Sequence, residues 1–253
     1  MLKSIFFILL SIISLCHSVT VKTKLGDIKG GERKSRDGKT YYAFSSIPYA
    51  KPPVGKLRFK NPVHADPWKE VLDATKELPQ CLQVPMYEHF ARNETRGQED
   101  CLYLSVYTPD LKPKEKLAVL VQTHGGGFRC GNAGLRDNAD YLMDGNVILV
   151  NIHYRLGTLG FLSTEDRVIP GNFGLKDQSL GLHWVKENIK YFGGDDEKIT
   201  VFGESAGGAS AHYHLISPLS KSILRGGISQ SGVMNRFWSL SVPGKARLQA
   251  KVL

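Results

Sequence analysis

The chain has 253 residues, 42% of them hydrophobic and 23% charged, with a formal net charge of +9. That is an ordinary globular balance, and enough chain for one large domain with a sizeable core. The basic residues are scattered among acids, as in Glu32-Arg33-Lys34-Ser35-Arg36-Asp37. No basic stripe interleaved with aromatics appears, so the excess charge reads as solvated surface and excludes a nucleic-acid-binding face.

Met1 to Ser18 reads as a secretory signal peptide rather than part of the fold. Lys3 supplies the positive start, Ile5 to Cys16 the apolar run, and Cys16-His17-Ser18 the small residues that place cleavage after Ser18. The run is too short for the roughly 20 apolar residues of a bilayer span, and no other stretch is longer. Residues 19–253 are therefore expected to be secreted, soluble and in an oxidising compartment, with no membrane span.

Processing leaves three cysteines, Cys81, Cys101 and Cys130. In a secreted chain one pair should close. Cys81 and Cys101 flank a polar segment with the character of a surface loop, and closing it would contribute about 3 kcal/mol. Cys130 is then left as a buried or partly buried thiol, or pairs with a cysteine outside this sequence. The same loop holds Asn93-Glu94-Thr95, the N-glycosylation acceptor.

Val19 to Gly30 alternates and turns at Gly26-Asp27, which predicts a small edge hairpin. Tyr41 to Arg58 is rich enough in proline to predict an ordered surface loop. Leu117 to Thr123 and Val147 to Tyr154 read as buried strands. Leu175 to Phe192 reads as a helix with Leu182, Val185, Ile189 and Phe192 on one face and Lys186, Glu187 and Lys190 opposite, ended by Gly193-Gly194. Ile199 to Phe202 is a further strand, Ala206 to Leu215 a helix stopped by Ser217-Pro218, and a short strand follows around Ile228. Ala246 to Leu253 is helix-like. Strands alternating with helices predict an α/β fold with a mostly parallel central sheet and helices on both faces, and chemistry at the carboxyl ends of strands.

Two loops lie at such ends. Gly203-Glu204-Ser205-Ala206-Gly207 fits the G-x-S-x-G turn from strand to helix, which forces its apex into a strained conformation and projects the serine hydroxyl at the positive end of the helix. Ser205 is the candidate nucleophile. His124-Gly125-Gly126-Gly127-Phe128 follows the strand Leu117 to Thr123. Three glycines let backbone N–H groups turn inward, where they can stabilise the oxyanion made when a serine attacks an ester; one such donor is worth about 3–4 kcal/mol. The amide after the nucleophile, on Ala206, would complete the set.

The chain resembles the type-B carboxylesterase and cholinesterase family of α/β-hydrolases. The segments that carry the likeness are IPYAKPPVGKLRF (47–59), EDCLYLSVYTP (99–109), HGGGF (124–128), NIHYRLGTLGFLS (151–163), PGNFGLKDQ (170–178), YFGGDDEKITVFGESAGGASAHYHLIS (191–217) and ISQSG (228–232). The texture is that of insect general carboxylesterases. The resemblance implies Ser205 as nucleophile, Gly126, Gly127 and Ala206 as oxyanion donors, a Cys81–Cys101 bridge, Glu204 polarising the site, and Ser231 as a hydrogen-bonding residue behind it. Cholinesterases carry a tryptophan inside the first disulfide loop. Leu82 to Asp100 has none, only Tyr87 and Phe90, which removes the cation–π platform for choline. Juvenile hormone esterases usually show glutamine where Glu204 stands. Both departures favour a general carboxylesterase.

By resemblance the family is about twice this length, and the triad's glutamate and histidine follow the serine. Residues 19–253 therefore read as the N-terminal part of an α/β-hydrolase domain whose C-terminal half is absent, with the triad Glu and His beyond Leu253. None of the eight histidines present suits the role of base. His212 is seven residues past Ser205 on the same helix, about 10 Å along its axis. His153, just after a strand, is the best of the rest. The expected function is hydrolysis of a small-molecule carboxylic ester through an acyl-enzyme, needing no metal or cofactor. The rival is a cholinesterase-like binding, sequestering or adhesion protein without catalysis, against which an intact Ser205 and HGGG argue.

Overall fold

The computed structural model describes residues 18–84, 94–133 and 139–252. Among these, nine strands form one sheet: β1 (Ser18–Lys22), β2 (Asp27–Lys34), β3 (Thr40–Pro48), β4 (Leu72–Asp73), β5 (Tyr103–Thr108), β6 (Leu117–Thr123), β7 (Val147–Ile152), β8 (Gly194–Glu204) and β9 (Gly226–Gln230). The helices are α1 (Ala139–Leu142), α2 (Gly157–Phe161), α3 (Phe173–Asn188), α4 (Ala206–Ile216) and α5 (Lys245–Ala250). The strand order is β1-β2-β3-β5-β7-β6-β8-β9, with β4 paired to β2.

The sheet is mixed. The β7-β6-β8-β9 half is parallel, as the strand and helix alternation predicts, whereas each successive pair from β1 through β2, β3 and β5 to β7 is antiparallel. This is the α/β-hydrolase architecture. The predicted hairpin is β1 and β2, closed by Thr23 and Gly26. Ser18 opens β1, so cleavage after it would make Val19 the first residue of the strand. The rest of the proposed signal peptide lies outside the described residues.

One expectation fails. The first half of Tyr41 to Arg58 is not a loop but strand β3, inside the sheet between β2 and β5. The prolines at 48, 52 and 53 cluster behind it, and Pro48 is the strand's last residue, where a missing N–H costs least. Averaging them over eighteen residues hid the β-forming run Tyr41-Tyr42-Ala43-Phe44. A bulge between Phe44 and Ile47, with Ser46 at φ 55°, bends this strand.

Two apolar layers cover the sheet. On β7, Ile148, Val150 and Ile152 face a large core with Leu182, Val185, Ile189 and Phe192, while Leu149 faces Tyr41, Tyr107 and Met143 on the other side. The predicted helical stripe is thus the buried face of α3 and of the 3-10 turn Ile189–Phe192, which Gly193 closes at φ 86°. β6 and β8 pair in parallel from Val119↔Ile199 onward, after a register shift between Leu117 and Val119. β9 is the edge strand, and Ile228 on it is 47% exposed.

Immediately after β7, Arg155 forms a buried ion pair with Asp177 of α3. Arg155 Nε and Nη2 donate to the carboxylate at 2.8 and 2.7 Å, the Arg155 backbone N–H adds a third bond at 3.1 Å, and the guanidinium lies over the Phe173 ring. The two side chains are 4% and 0% exposed, and among the described residues Arg155 Nη1 is buried with no partner. Removing one member would strand the other's charge. Asp177→Asn is expected to destabilise the fold by about 3–5 kcal/mol, measured by denaturant unfolding.

Candidate active site

β6 and β8 are adjacent and parallel, so their carboxyl ends bring the HGGG segment and the G-x-S-x-G turn together. Thr123, the last residue of β6, fixes the spacing. A Cβ on Gly207 would fall 2.0 Å from the Thr123 carbonyl oxygen, and one on Gly203 2.3 Å from the same atom. Both positions therefore admit only glycine, and the obstacle is the neighbouring strand as well as the helix of the turn itself. Thr123 Oγ1 also donates to the Gly207 carbonyl at 3.2 Å.

Ser205 stands at the apex with φ 56° and ψ −117°, a backbone position that non-glycine residues rarely occupy. The strain predicted for this residue is present. It is held from three sides: the Ser205 N–H donates to Gln230 of β9 at 2.8 Å, the Ala209 N–H donates to the Ser205 carbonyl at 3.0 Å, and Gly232 packs on that carbonyl so closely that a Cβ would lie 2.1 Å from it. The Ser205 hydroxyl has no hydrogen-bond partner among the described residues. It sits at the N-terminal, electropositive end of α4.

The glycine loop meets this turn directly. A Cβ on Gly125 would lie 3.4 Å from Ser205 Cβ and 2.9 Å from Glu204 Oε2. Among the described residues, the N–H groups of Gly126, Gly127 and Ala206 donate to no acceptor. Their directions are nonetheless fixed, because a trans peptide plane points its C=O opposite to its N–H. The Gly125 carbonyl, which shares a plane with the Gly126 N–H, faces His124 Nδ1 at 2.9 Å. The Gly126 carbonyl, paired with the Gly127 N–H, accepts from the amides of Arg129 and Cys130 at 3.0 and 3.1 Å. The Ser205 carbonyl, paired with the Ala206 N–H, accepts from Ala209. Each of the three free amides is thus aimed by what its own carbonyl binds.

Behind the loop, the His124 ring stacks on Tyr154 at 4.4 Å, and the Tyr154 hydroxyl donates to the His124 carbonyl at 2.7 Å. Glu204 and Ser231 are both exposed; Ser231 has φ 53° and lies one residue before Gly232. The Cys81–Cys101 disulfide implied by the resemblance is formed, and Cys130 is a buried free thiol with Sγ 3.5 Å from the Gly126 carbonyl. Asn93, Tyr87 and Phe90 lie outside the described residues.

Three of the described histidines, His153, His183 and His214, are hydrogen-bonded away from the serine. His153 Nδ1 donates to the Pro79 carbonyl at 2.8 Å and its Nε2 accepts from Ala133 N–H at 2.9 Å. His214 lies between Gln178 and Ser220, and His183 bonds the Leu219 carbonyl. No described histidine hydrogen-bonds Ser205.

The family model of the carboxylesterase family matches residues 17–252. The chain belongs to that family. Among curated relatives, it is 47% identical over 221 residues to a juvenile hormone esterase of Tribolium castaneum, covering 87% of this chain and 37% of that protein. It is 46% identical to venom carboxylesterase-6 of Apis mellifera (90% of this chain, 41% of that protein) and 45% identical to esterase FE4 of Myzus persicae (89% and 40%). The chain thus spans about two-fifths of the length of these relatives. A protein named for juvenile hormone and proteins named for general ester hydrolysis match at almost the same identity. No helix among the described residues is long and apolar enough to cross a membrane.

Burial sets the pH range of this carboxylesterase fold. Desolvation lowers the pKa of His124 to about 4 and of His214 to about 4. His153 falls to about 3, first through desolvation and then through the neighbouring His124. Each folded pKa is below the unfolded value near 6.5, so the unfolded chain binds more protons between the two. The stabilisation is complete above pH 6.5 and is lost as pH falls toward 4. Near pH 5 the three sites together give a slope of up to about 4 kcal/mol per pH unit. Denaturant midpoints should fall steeply below pH 6.5 and be flat from pH 7 to 8.

Proposed function

We propose that the chain carries the nucleophile and oxyanion-binding part of a secreted serine carboxylesterase acting on small-molecule carboxylic esters. The observation that carries this reading is the strained, unpartnered Ser205 beside the glycine loop, where a Cβ on Gly125 would lie 3.4 Å from Ser205 Cβ.

In this mechanism Ser205 Oγ attacks the ester carbonyl carbon while a base takes its proton. The carbonyl π electrons move onto oxygen, and the N–H groups of Gly126, Gly127 and Ala206 stabilise the resulting oxyanion. Collapse breaks the bond to the alkoxy group, which takes the proton held by the base and leaves as the alcohol, and Ser205 is acylated. Water then attacks the acyl-enzyme and releases the acid. Amides whose peptide carbonyls are already hydrogen-bonded would need little reorganisation when charge develops. Glu204 places a carboxylate next to Gly125 and the serine, where it would polarise the site, and Ser231, just after β9, would support the elbow. With no described histidine hydrogen-bonded to Ser205, the base and its glutamate partner are assigned to the protein beyond Leu253. A glycan at Asn93 and release of residues 1–18 complete the extracellular reading. A purely binding or adhesive role has no use for a strained serine beside aimed amides.

In the full-length protein, Ser205→Ala should lower kcat for p-nitrophenyl acetate by about 10⁴-fold or more, and a fluorophosphonate should label Ser205 and no other serine. The 253-residue chain by itself should turn over the same ester no faster than its Ser205→Ala variant. Wild-type turnover in the full-length Ser205→Ala protein would overturn the assignment.

A further inference from the structure

Resting on the reading of Gly126 and Gly127 as oxyanion donors, we propose that Gln83 and His153 are positioning residues for the glycine triplet, acting through the segment Gly131–Ala133. The glycine loop does not hold itself in place. The carbonyl that aims the Gly127 N–H is bonded by Arg129 and Cys130, so its direction depends on where the chain goes after Cys130. Gly131 comes next and folds back on the triplet: at φ 125°, a Cβ on it would lie 2.4 Å from both the Gly125 carbonyl oxygen and His124 Nδ1. Those two atoms are the pair that aims the Gly126 N–H.

Gln83 grips Gly131 on both sides. Its Oε1 accepts from the Gly131 N–H at 2.8 Å, and its Nε2 donates to the Gly131 carbonyl at 2.9 Å and to the Cys81 carbonyl at 3.0 Å. The grip has a firm base. The Gln83 backbone exchanges two hydrogen bonds with Arg96, and Cys81 is tied to Cys101. Two residues on, His153 receives the Ala133 N–H on Nε2 while its Nδ1 donates to Pro79, and Asn151 of β7 donates to the Ala133 carbonyl at 3.2 Å. The strand after the triplet is therefore clamped between the disulfide-closed segment and the end of β7. Neither Gln83 nor His153 reaches Ser205 by a hydrogen bond. Their effect on the reaction passes through peptide planes, and a displacement of about 1 Å at such a site costs on the order of 10²-fold in rate.

The test is made in the full-length protein, with active sites counted by a phosphorylating titrant so that loss of folded enzyme is not scored as loss of kcat. Gln83→Met keeps the bulk and removes all three bonds. Gln83→Glu keeps the acceptor for Gly131 and sets a carboxylate against two carbonyls. His153→Phe removes the contacts to Pro79, Asn132 and Ala133, and His153→Gln can restore the acceptor for the Ala133 N–H. We expect Gln83→Met and His153→Phe to lower kcat per titrated site by about 10–100-fold with KM within about twofold. Affinity for a trifluoromethyl ketone, whose adduct places an oxyanion on the same amides, should weaken in step with kcat/KM. His153→Gln should recover most of the loss. If Gln83→Met gives no titratable sites, Gln83→Glu carries the same expectation.

Unchanged kcat per site and unchanged ketone affinity, with only a lower melting temperature, would overturn the positioning role and leave Ser205 as nucleophile. Undiminished turnover by Ser205→Ala would overturn both.

Discussion

The site depends on one close approach: the end of β6 passes the turn between β8 and α4 at a separation that leaves no room for a methyl group. The Thr123 carbonyl occupies the space that a side chain at 203 or 207 would need, and its hydroxyl ties down the first turn of the helix. Because β6 and β8 are parallel neighbours, the glycine loop leaving one and the serine turn leaving the other must meet. Strain at Ser205 is tolerated because the turn is overdetermined. Gln230 of β9 and Ala209 of α4 bond its backbone, and Gly232, two residues beyond β9, packs on its carbonyl.

A second layer of polar order stands behind this contact. The end of β7 delivers His153, Tyr154 and Arg155 in succession. One engages the segment after the glycine loop, the next engages the His124 carbonyl, and the third forms the buried pair with α3. These residues are all nearly inaccessible, so the neutral forms of the two histidines and the paired form of the arginine are conditions of folding as much as of chemistry. The structure uses histidine here as a compact donor and acceptor, with titration pushed out of the physiological range.

Much of this was legible in the chain because the signals were local. The bounds of β6 follow from a continuous apolar run, the buried face of α3 from helical spacing, and the conformation of Ser205 from two glycines placed around it. The disulfide needed resemblance to single out its partners. What was not legible depends on distant contacts. β3 was hidden by prolines at and beyond its end, and the antiparallel half of the sheet is chosen by pairings between distant segments, such as Phe44 with Val106. His153 drew attention as a conceivable base because a histidine after a strand is placed where chemistry occurs. Its actual partners, Pro79 and Ala133, lie 74 and 20 residues away. No sequence pattern announces such a clamp, since Gln83 is one glutamine in a polar loop.

The register shift at the entrance of β8 carries a last implication. Leu117 lies opposite Gly194 and Val119 opposite Ile199, so slack in the chain is taken up before the strand settles against its neighbour. From Ile199 onward the pleat runs unbroken to the serine. Added or lost residues between 195 and 198 are absorbed at the rim, whereas a single insertion between 199 and 204 would swing the nucleophile to the opposite side of the sheet. A change in length is therefore tolerable at one end of the strand, while the reactive end must stay in step.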